Sequence, residues 1–114
     1  MSIEQFFDGN DDPASIGCNL SNHPGIDLFR EIFLGIAQRA DVESVYAQIA
    51  ELEPDERYWP FTDTIWVAGE ITMEDLKQTV ALLDQDDVGP GDLMGAPQEL
   101  LWKYSNRLLG VWWD

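Results

Sequence analysis

Two different spacings of apolar residues mark the beginning of the chain. Ile16, Cys18 and Leu20 alternate with small or polar residues, which predicts a half-buried strand over 15–20. The next segment has its apolar residues at helical spacing, with Asp27 near the positive end of the helix dipole. The residues of this helical stripe are Ile26, Phe29, Ile32, Phe33 and Ile36. The pattern therefore predicts a strand followed by an amphipathic helix.

The segment 41–52 fits either a helix or a strand. Val45 and Ile49 belong to a helical stripe, but together with Ala47 they also alternate as in a strand. The segment that follows, 62–71, is rich in β-branched and aromatic residues and needs a neighbouring strand. Because consecutive strands usually pair, a hairpin partner just upstream is the simplest solution. We therefore predict that 41–52 is a strand, although its periodicity alone favours a helix.

The second half of the chain contains one further helix and a terminal strand. Thr72 caps the helix, with Asp75 at the position that a capping box usually gives to Glu. The buried stripe of this helix consists of Met73, Leu76, Val80 and Leu83. An acidic connection rich in Gly and Pro follows over 84–97, and the pattern assigns no element to 100–104. Residues 107–114 form the terminal strand.

The predicted order is strand, helix, strand, strand, helix, strand within one α+β domain over 1–114. This order is that of the ferredoxin-like βαββαβ sandwich, in which two helices cover one face of a four-stranded antiparallel sheet. The other face is predicted to be open, yet the strands supply large apolar side chains to it. These are Tyr46, Ile65 or Trp66, Val67, and Trp112 or Trp113. Because large apolar patches mark association sites, the pattern is also compatible with a homodimer.

The composition adds a strong charge imbalance. The 114 residues include 22 Asp and Glu against 6 Lys and Arg, a formal net charge of −16, yet the chain is 45% hydrophobic and 11% aromatic. A hydrophobic fraction of this size is typical of globular proteins, so the acids are expected to coat a folded core. Such a surface repels nucleic acid and anionic lipid and attracts a basic protein, a polyamine or a divalent cation. An acidic coat that only keeps the protein soluble fits the same composition.

Cysteine content and the N-terminal sequence indicate the compartment. Cys18 is the only cysteine, which excludes an internal disulfide. The first residues lack the basic front of a secretory signal, and no apolar run approaches the roughly 18 residues that a membrane span requires. The sequence therefore predicts a cytoplasmic protein without a membrane or nucleic-acid partner.

Candidate catalytic and metal-binding patterns are weak. Cys18 and His23 are the one pair that resembles an activated nucleophile, because an imidazole near a helix amino end can stabilise a thiolate. The strand alternation favours a different interpretation, with Cys18 a small core residue and His23 an exposed loop group. A calcium loop starting at Asp8 would have proline at its glycine position, and one starting at Asp84 would have valine at its fifth position. The sequence therefore predicts no catalytic residue, no metal and no cofactor.

Aromatic residues are the remaining candidates for a binding site. Trp112 and Trp113 are adjacent in a predicted strand, so one indole should lie in the core and the other should face outward. Trp is enriched at binding hot spots, although these rings also suit a small core. The predicted partner-binding residues are the anchors Trp59, Phe61, Trp112 and Trp113 and the steering acids Glu53, Asp55, Glu56, Asp86 and Asp87.

Two functional hypotheses follow. The first is a small, acidic, non-enzymatic protein that engages a basic macromolecular partner, in the manner of an inhibitor or an immunity protein. Its acids would steer the encounter, and a few desolvated aromatic side chains would anchor the complex. The alternative is a dimeric α/β domain that binds a small ligand, or acts as a scaffold, on its open sheet face.

Overall fold

The computed structural model describes residues 1–51 and 61–113. For Ala50, Glu51 and Phe61 it describes the backbone alone. In the described residues the chain forms four helices and four strands, with short 3-10 turns at Pro13–Ser15 and Ala81–Leu83. The elements in chain order are α1 (Ile3–Phe7), α2 (Ile26–Ala37), β1 (Val42–Glu51), β2 (Phe61–Gly69), α3 (Met73–Thr79), β3 (Asp87–Pro90), α4 (Gln98–Tyr104) and β4 (Leu108–Trp112).

The four strands form one antiparallel sheet in the order β1-β2-β4-β3. β1 pairs with β2, and β4 lies between β2 and β3. The connection through α3 therefore carries the chain past β4, and α4 returns it to the central position. The α+β class and the four-stranded antiparallel sheet are as the sequence predicts.

Helices pack on both faces of the sheet. The larger core lies on the first face, where Phe6 of α1, Phe29 and Phe33 of α2 and Leu76 of α3 cover Val67 of β2 and other strand residues. A smaller core lies on the second face, which α4 covers through Tyr104. Its other buried members are Trp66, Ala68, Ala96 and Leu108. The molecule is thus a helix–sheet–helix arrangement in which one short helix covers only part of the second face.

The predicted ferredoxin-like arrangement is not what the described residues form. Residues 15–20 provide a single parallel bridge from Ile16 to Thr62 instead of a strand. Gly17 has a φ of +63°, which interrupts the extended backbone immediately after that bridge. The fourth strand is β3, which lies within the segment interpreted as an acidic connection. Because α4 packs on part of the second face, that face is not fully open as predicted.

Three of the elements that the periodicity predicts are present. The structure confirms the helix at Ile26–Ala37, the helix at Met73–Thr79 and the terminal strand at Leu108–Trp112. It also confirms the strand prediction for Val42–Glu51, where pairing overrides the helical stripe. None of the helices in residues 1–51 and 61–113 has the length and apolar composition that crossing a bilayer needs.

An ion-pair network joins the connection between α2 and β1 to α3. The Arg39 guanidinium donates to Asp41, with its Nε 2.8 Å from Oδ1, and to Asp75, with its Nη2 2.6 Å from Oδ2. The hydrogen bond from Arg39 lowers the pKa of Asp41 below its ordinary value, against the opposing effect of burial. All three side chains are partly exposed, so water screens the network and each pair contributes modestly.

The Arg39–Asp41 pair should make stability depend on pH in the acid range. A carboxylate whose pKa is lowered in the folded state stabilises the fold above the unfolded value of about 3.9, and that contribution is lost as the pH falls through the lower folded value. We therefore expect Asp41→Asn to reduce the free energy of unfolding at neutral pH, and the difference from wild type to shrink as the pH falls below the unfolded value. Urea denaturation of both proteins at neutral pH and at successively lower pH values tests this. A loss of stability that is equal at every pH would contradict this prediction.

Candidate functional site

A row of four side chains crosses the part of the second sheet face that α4 does not cover. Gln48 of β1 pairs with Thr64 of β2, Thr64 pairs with Trp112 of β4, and Trp112 pairs with Asp87 of β3. This row forms the floor of an open depression of about 340 Å³. We call the depression the sheet-face trough, and its lining consists of Gln48, Asp63, Thr64, Asp87, Leu93, Met94 and Trp112. The trough therefore draws on every strand of the sheet and on the turn that follows β3.

Two glycines allow the trough to form beside a buried indole. A Cβ atom at Gly110 would lie 2.5 Å from Cζ3 of Trp66 and 3.0 Å from the sulfur of Met94. A Cβ at Gly89 would lie 3.2 Å from the same sulfur. Trp66 can thus lie flat on β4, and Met94 can fold over both glycines as the wall of the trough.

Hydrogen bonds fix two polar groups of the lining. The Nε1–H of buried Trp66 donates to Oε1 of Gln48 at 2.7 Å, which orients the Gln48 amide. The hydroxyl of Thr64 donates to Oδ1 of Asp63 at 2.9 Å, which holds that carboxylate at the trough. Preorganised groups of this kind lose little side-chain entropy when a ligand binds.

The trough combines apolar surface with negative charge. Trp112 is 37% exposed and Leu93 is 80% exposed, so both offer apolar area to a partner. Asp63 and Asp87 lie on the two strands that flank β4, which carries Trp112. Among the described residues, none that lines the trough has a basic side chain. Its chemistry therefore suits a ligand that is cationic and partly apolar.

A second depression of about 400 Å³ adjoins the trough and shares Gln48 with it. Beside it, the hydroxyls of Tyr46 and Tyr104 lie 3.0 Å apart, which ties β1 to α4. Burial acts to raise the pKa of Tyr104, but hydrogen bonds with Ser44 and Tyr46 and the charge of Lys103 outweigh it and lower the pKa. Because Tyr104 is buried, we assign this tyrosine pair a structural role, in which it holds α4 on the sheet.

The structure separates the predicted anchors. Trp112 faces outward, whereas Trp113 is only 1% exposed, so the predicted division of the two indoles is confirmed. Trp113 cannot reach a partner from the core, which removes it from the predicted binding residues. Phe61 lies in β2 by its backbone. The other predicted residues between the strands fall outside the described residues, and these are Trp59, Glu53, Asp55 and Glu56.

The structure brings two predicted acids, Asp86 and Asp87, to the outward indole. Asp87 is the direct cross-strand neighbour of Trp112 and lines the trough. Asp86 is exposed at the start of β3, where its backbone N–H donates to the carbonyl of Trp112 at 2.8 Å. Two of the predicted steering acids thus lie beside the one predicted anchor that the structure shows to face outward.

Other lining residues were absent from the prediction. Asp63, Thr64 and Gln48 lie within strands, where the sequence pattern does not indicate which face is free. Leu93 lies in the acidic segment after β3, and an exposed leucine among Gly, Asp and Met was the signal that could have indicated a surface role. Trp102 was also missed: it is 76% exposed on α4, but it does not line the trough.

The candidate Cys18–His23 pair is not organised for catalysis. Cys18 is exposed, so the prediction that it is a small core residue is wrong. His23 is half-buried, and both of its nitrogens have partners. Its Nδ1 accepts from the N–H of Gly25 at 2.9 Å, and its Nε2 lies 2.8 Å from the carbonyl of Ile16. The imidazole therefore fixes the loop before α2.

No group of three or more potential metal-binding side chains lies together in the part of the chain that the structure describes. Fold and trough together describe an α+β protein whose four-stranded antiparallel sheet carries an open depression on its second face. Residues 1–104 match the model of the Uncharacterized protein YfbO family, and the chain belongs to this family. No curated protein and no solved structure gives a significant match to the chain.

Proposed function

We propose that this chain is a small non-enzymatic protein of the cytoplasm that binds a basic protein through the sheet-face trough, in the manner of an inhibitor or an immunity protein. The observation that carries the proposal is the placement of an outward indole between strands that bear Asp63 and Asp87. Trp at the centre of a contact supplies much of the binding energy in known complexes, and flanking charges direct the approach of the partner.

The net charge of −16 supports a basic partner. A strongly charged protein accelerates encounter with an oppositely charged one, and the acceleration falls with ionic strength. The net charge also opposes the association of two copies of the chain. A homodimer that covers the trough is the competing arrangement, and analytical ultracentrifugation of the purified chain distinguishes it from a monomer with a free trough.

The test begins with capture of partners on the immobilised chain from a native lysate at low salt, followed by affinity measurements on the purified partner. We expect Trp112→Ala to weaken binding roughly 30-fold, because truncation of a central aromatic anchor typically costs about 2 kcal/mol. The double variant D63N/D87N should lower the association rate and weaken its dependence on salt.

Matched variants serve as controls. The double variant E31Q/E74Q removes the same charge from exposed helix positions away from the trough, and it should bind nearly as wild type. Trp102→Ala removes an indole that is more exposed than Trp112, and it should leave affinity unchanged. If Trp102→Ala abolishes binding while Trp112→Ala does not, the partner uses α4 and the proposed site is wrong.

A further inference from the structure

We infer that the sheet-face trough recognises an arginine side chain of the partner, with the guanidinium lying on the Trp112 indole and bonded to Asp63 and Asp87. This inference rests on the proposed function, because it names the chemical group that the same site would take. It concerns one side chain, so it can be tested on small peptides without the whole partner.

The topology supplies the first argument. β4 lies between β2 and β3, so Asp63 and Asp87 line the trough from the two strands on either side of the one that carries Trp112. A guanidinium is planar, carries five N–H donors and can bond to two carboxylates while its face stacks on an indole. A lysine ammonium is a compact point charge and cannot make both the stacked and the two-sided contact as well.

Fixed geometry supplies the second argument. The Thr64 hydroxyl holds the Asp63 carboxylate, and Asp87 lies directly across the strand pair from Trp112. Leu93 and Met94 add apolar wall on the same depression, which suits the methylene groups of a long side chain. A volume of about 340 Å³ is at the lower end for ligand sites, which fits one side chain better than a folded element.

The charges favour a foreign chain over a second copy of this one as the occupant. Each of the three arginines in the described residues already forms an ion pair within its own chain: Arg30 with Asp27, Arg39 with Asp41 and Asp75, and Arg107 with Glu43. A second copy would also bring its own charge of −16 to an acidic surface. Charge complementarity therefore favours a basic partner that presents an arginine.

The experiment is an NMR titration that follows the indole N–H signals of the ¹⁵N-labelled chain. The signal of Trp112 is assigned from its absence in Trp112→Phe. The probes are three capped tripeptides, Gly-Arg-Gly, Gly-Lys-Gly and Gly-citrulline-Gly, in which citrulline keeps the shape of arginine without its charge. We expect the arginine peptide to shift the Trp112 signal with saturation, the lysine peptide to bind several-fold more weakly, and the citrulline peptide at least 10-fold more weakly.

Variants separate specific recognition from general attraction. D63N/D87N should weaken the arginine peptide at least 10-fold, and the isosteric amide at position 63 can still accept from Thr64, so the fold is retained. E31Q/E74Q should leave the titration unchanged. Equal binding of the citrulline or lysine peptide, or equal shifts of the Trp102 and Trp112 signals, would overturn the inference.

The outcomes distinguish this inference from the proposed function. If a captured partner depends on Trp112 but the arginine peptide does not bind, the arginine inference fails and the proposed function stands. If the arginine peptide binds as expected but no protein partner depends on Trp112, the proposed function fails and the trough remains an arginine site.

Discussion

Replacing Trp113 with alanine is expected to lower the free energy of unfolding by about 3–5 kcal/mol, the usual range for truncating a buried Trp. The indole is fully buried against the rings of Phe29 and Phe33, with ring centroids 5.6 and 5.9 Å away. Its Nε1–H donates to the carbonyl of Leu83 at 2.9 Å, so truncation also leaves a buried acceptor unpaired. Domains are typically stable by only about 5–15 kcal/mol, so this variant should be close to unfolding.

The neighbouring indole provides the control. Trp112→Ala removes a side chain of the same size, but one that is partly exposed, and the loss should be about 1 kcal/mol or less. Urea denaturation followed by far-ultraviolet circular dichroism measures both variants against wild type. If the two variants lost equal stability, Trp112 would also be a core residue, and the trough would lose its anchor.

The spacing of apolar residues was sufficient to predict the elements that bury one long apolar stripe. The helical spacing of Phe29, Phe33 and Ile36 placed α2, and these residues are buried as predicted. For β1, periodicity gave the wrong preference, and the correct prediction came from the need of β2 for a neighbour. The apolar residues of Val42–Glu51 fit both patterns, so only the pairing partner distinguishes them.

Three short segments could not be assigned from their own residues. β3 is four residues long and contains Gly89 and Pro90, both poor strand formers, so its conformation depends on its ladder with β4. α4 has only seven residues, and the exposed Trp102 obscures its apolar stripe. At 15–20 the alternation resembles a strand, but only Ile16 forms a bridge. In each case tertiary contacts outweigh local preference.

The site was predictable only where it depends on strand alternation. Alternation places Trp112 and Trp113 on opposite faces, and the terminal strand needs one face in the core. The proximity of Asp63 and Leu93 to Trp112 follows from the strand order β1-β2-β4-β3, which no local pattern encodes. The sequence therefore indicated that one of the two indoles faces outward and that Asp86 and Asp87 belong to the site, whereas the structure identified that indole and the rest of the trough.

Gly69 lies where three backbone segments meet. Its φ is +147°, a conformation that other residues rarely adopt. Its N–H donates to the carbonyl of Arg107 at 2.9 Å, and the next residue, Glu70, donates to the carbonyl of Asp41 at 2.8 Å. A Cβ atom at Gly69 would lie 2.4 Å from that same Asp41 oxygen and 2.8 Å from Cα of Val42. The end of β2 thus admits no side chain.

Gly69→Ala is therefore expected to cost about 3 kcal/mol, since it combines an unfavourable φ with a clash against backbone that cannot move aside. Gly35→Ala makes the same chemical change in α2, where a Cβ would meet no atom within 4 Å. That variant should gain about 0.5–1 kcal/mol, because alanine is the better helix former. Thermal and urea denaturation of both variants measure the contrast. A Gly69→Ala protein as stable as wild type would show that β1 and β2 do not approach each other as described.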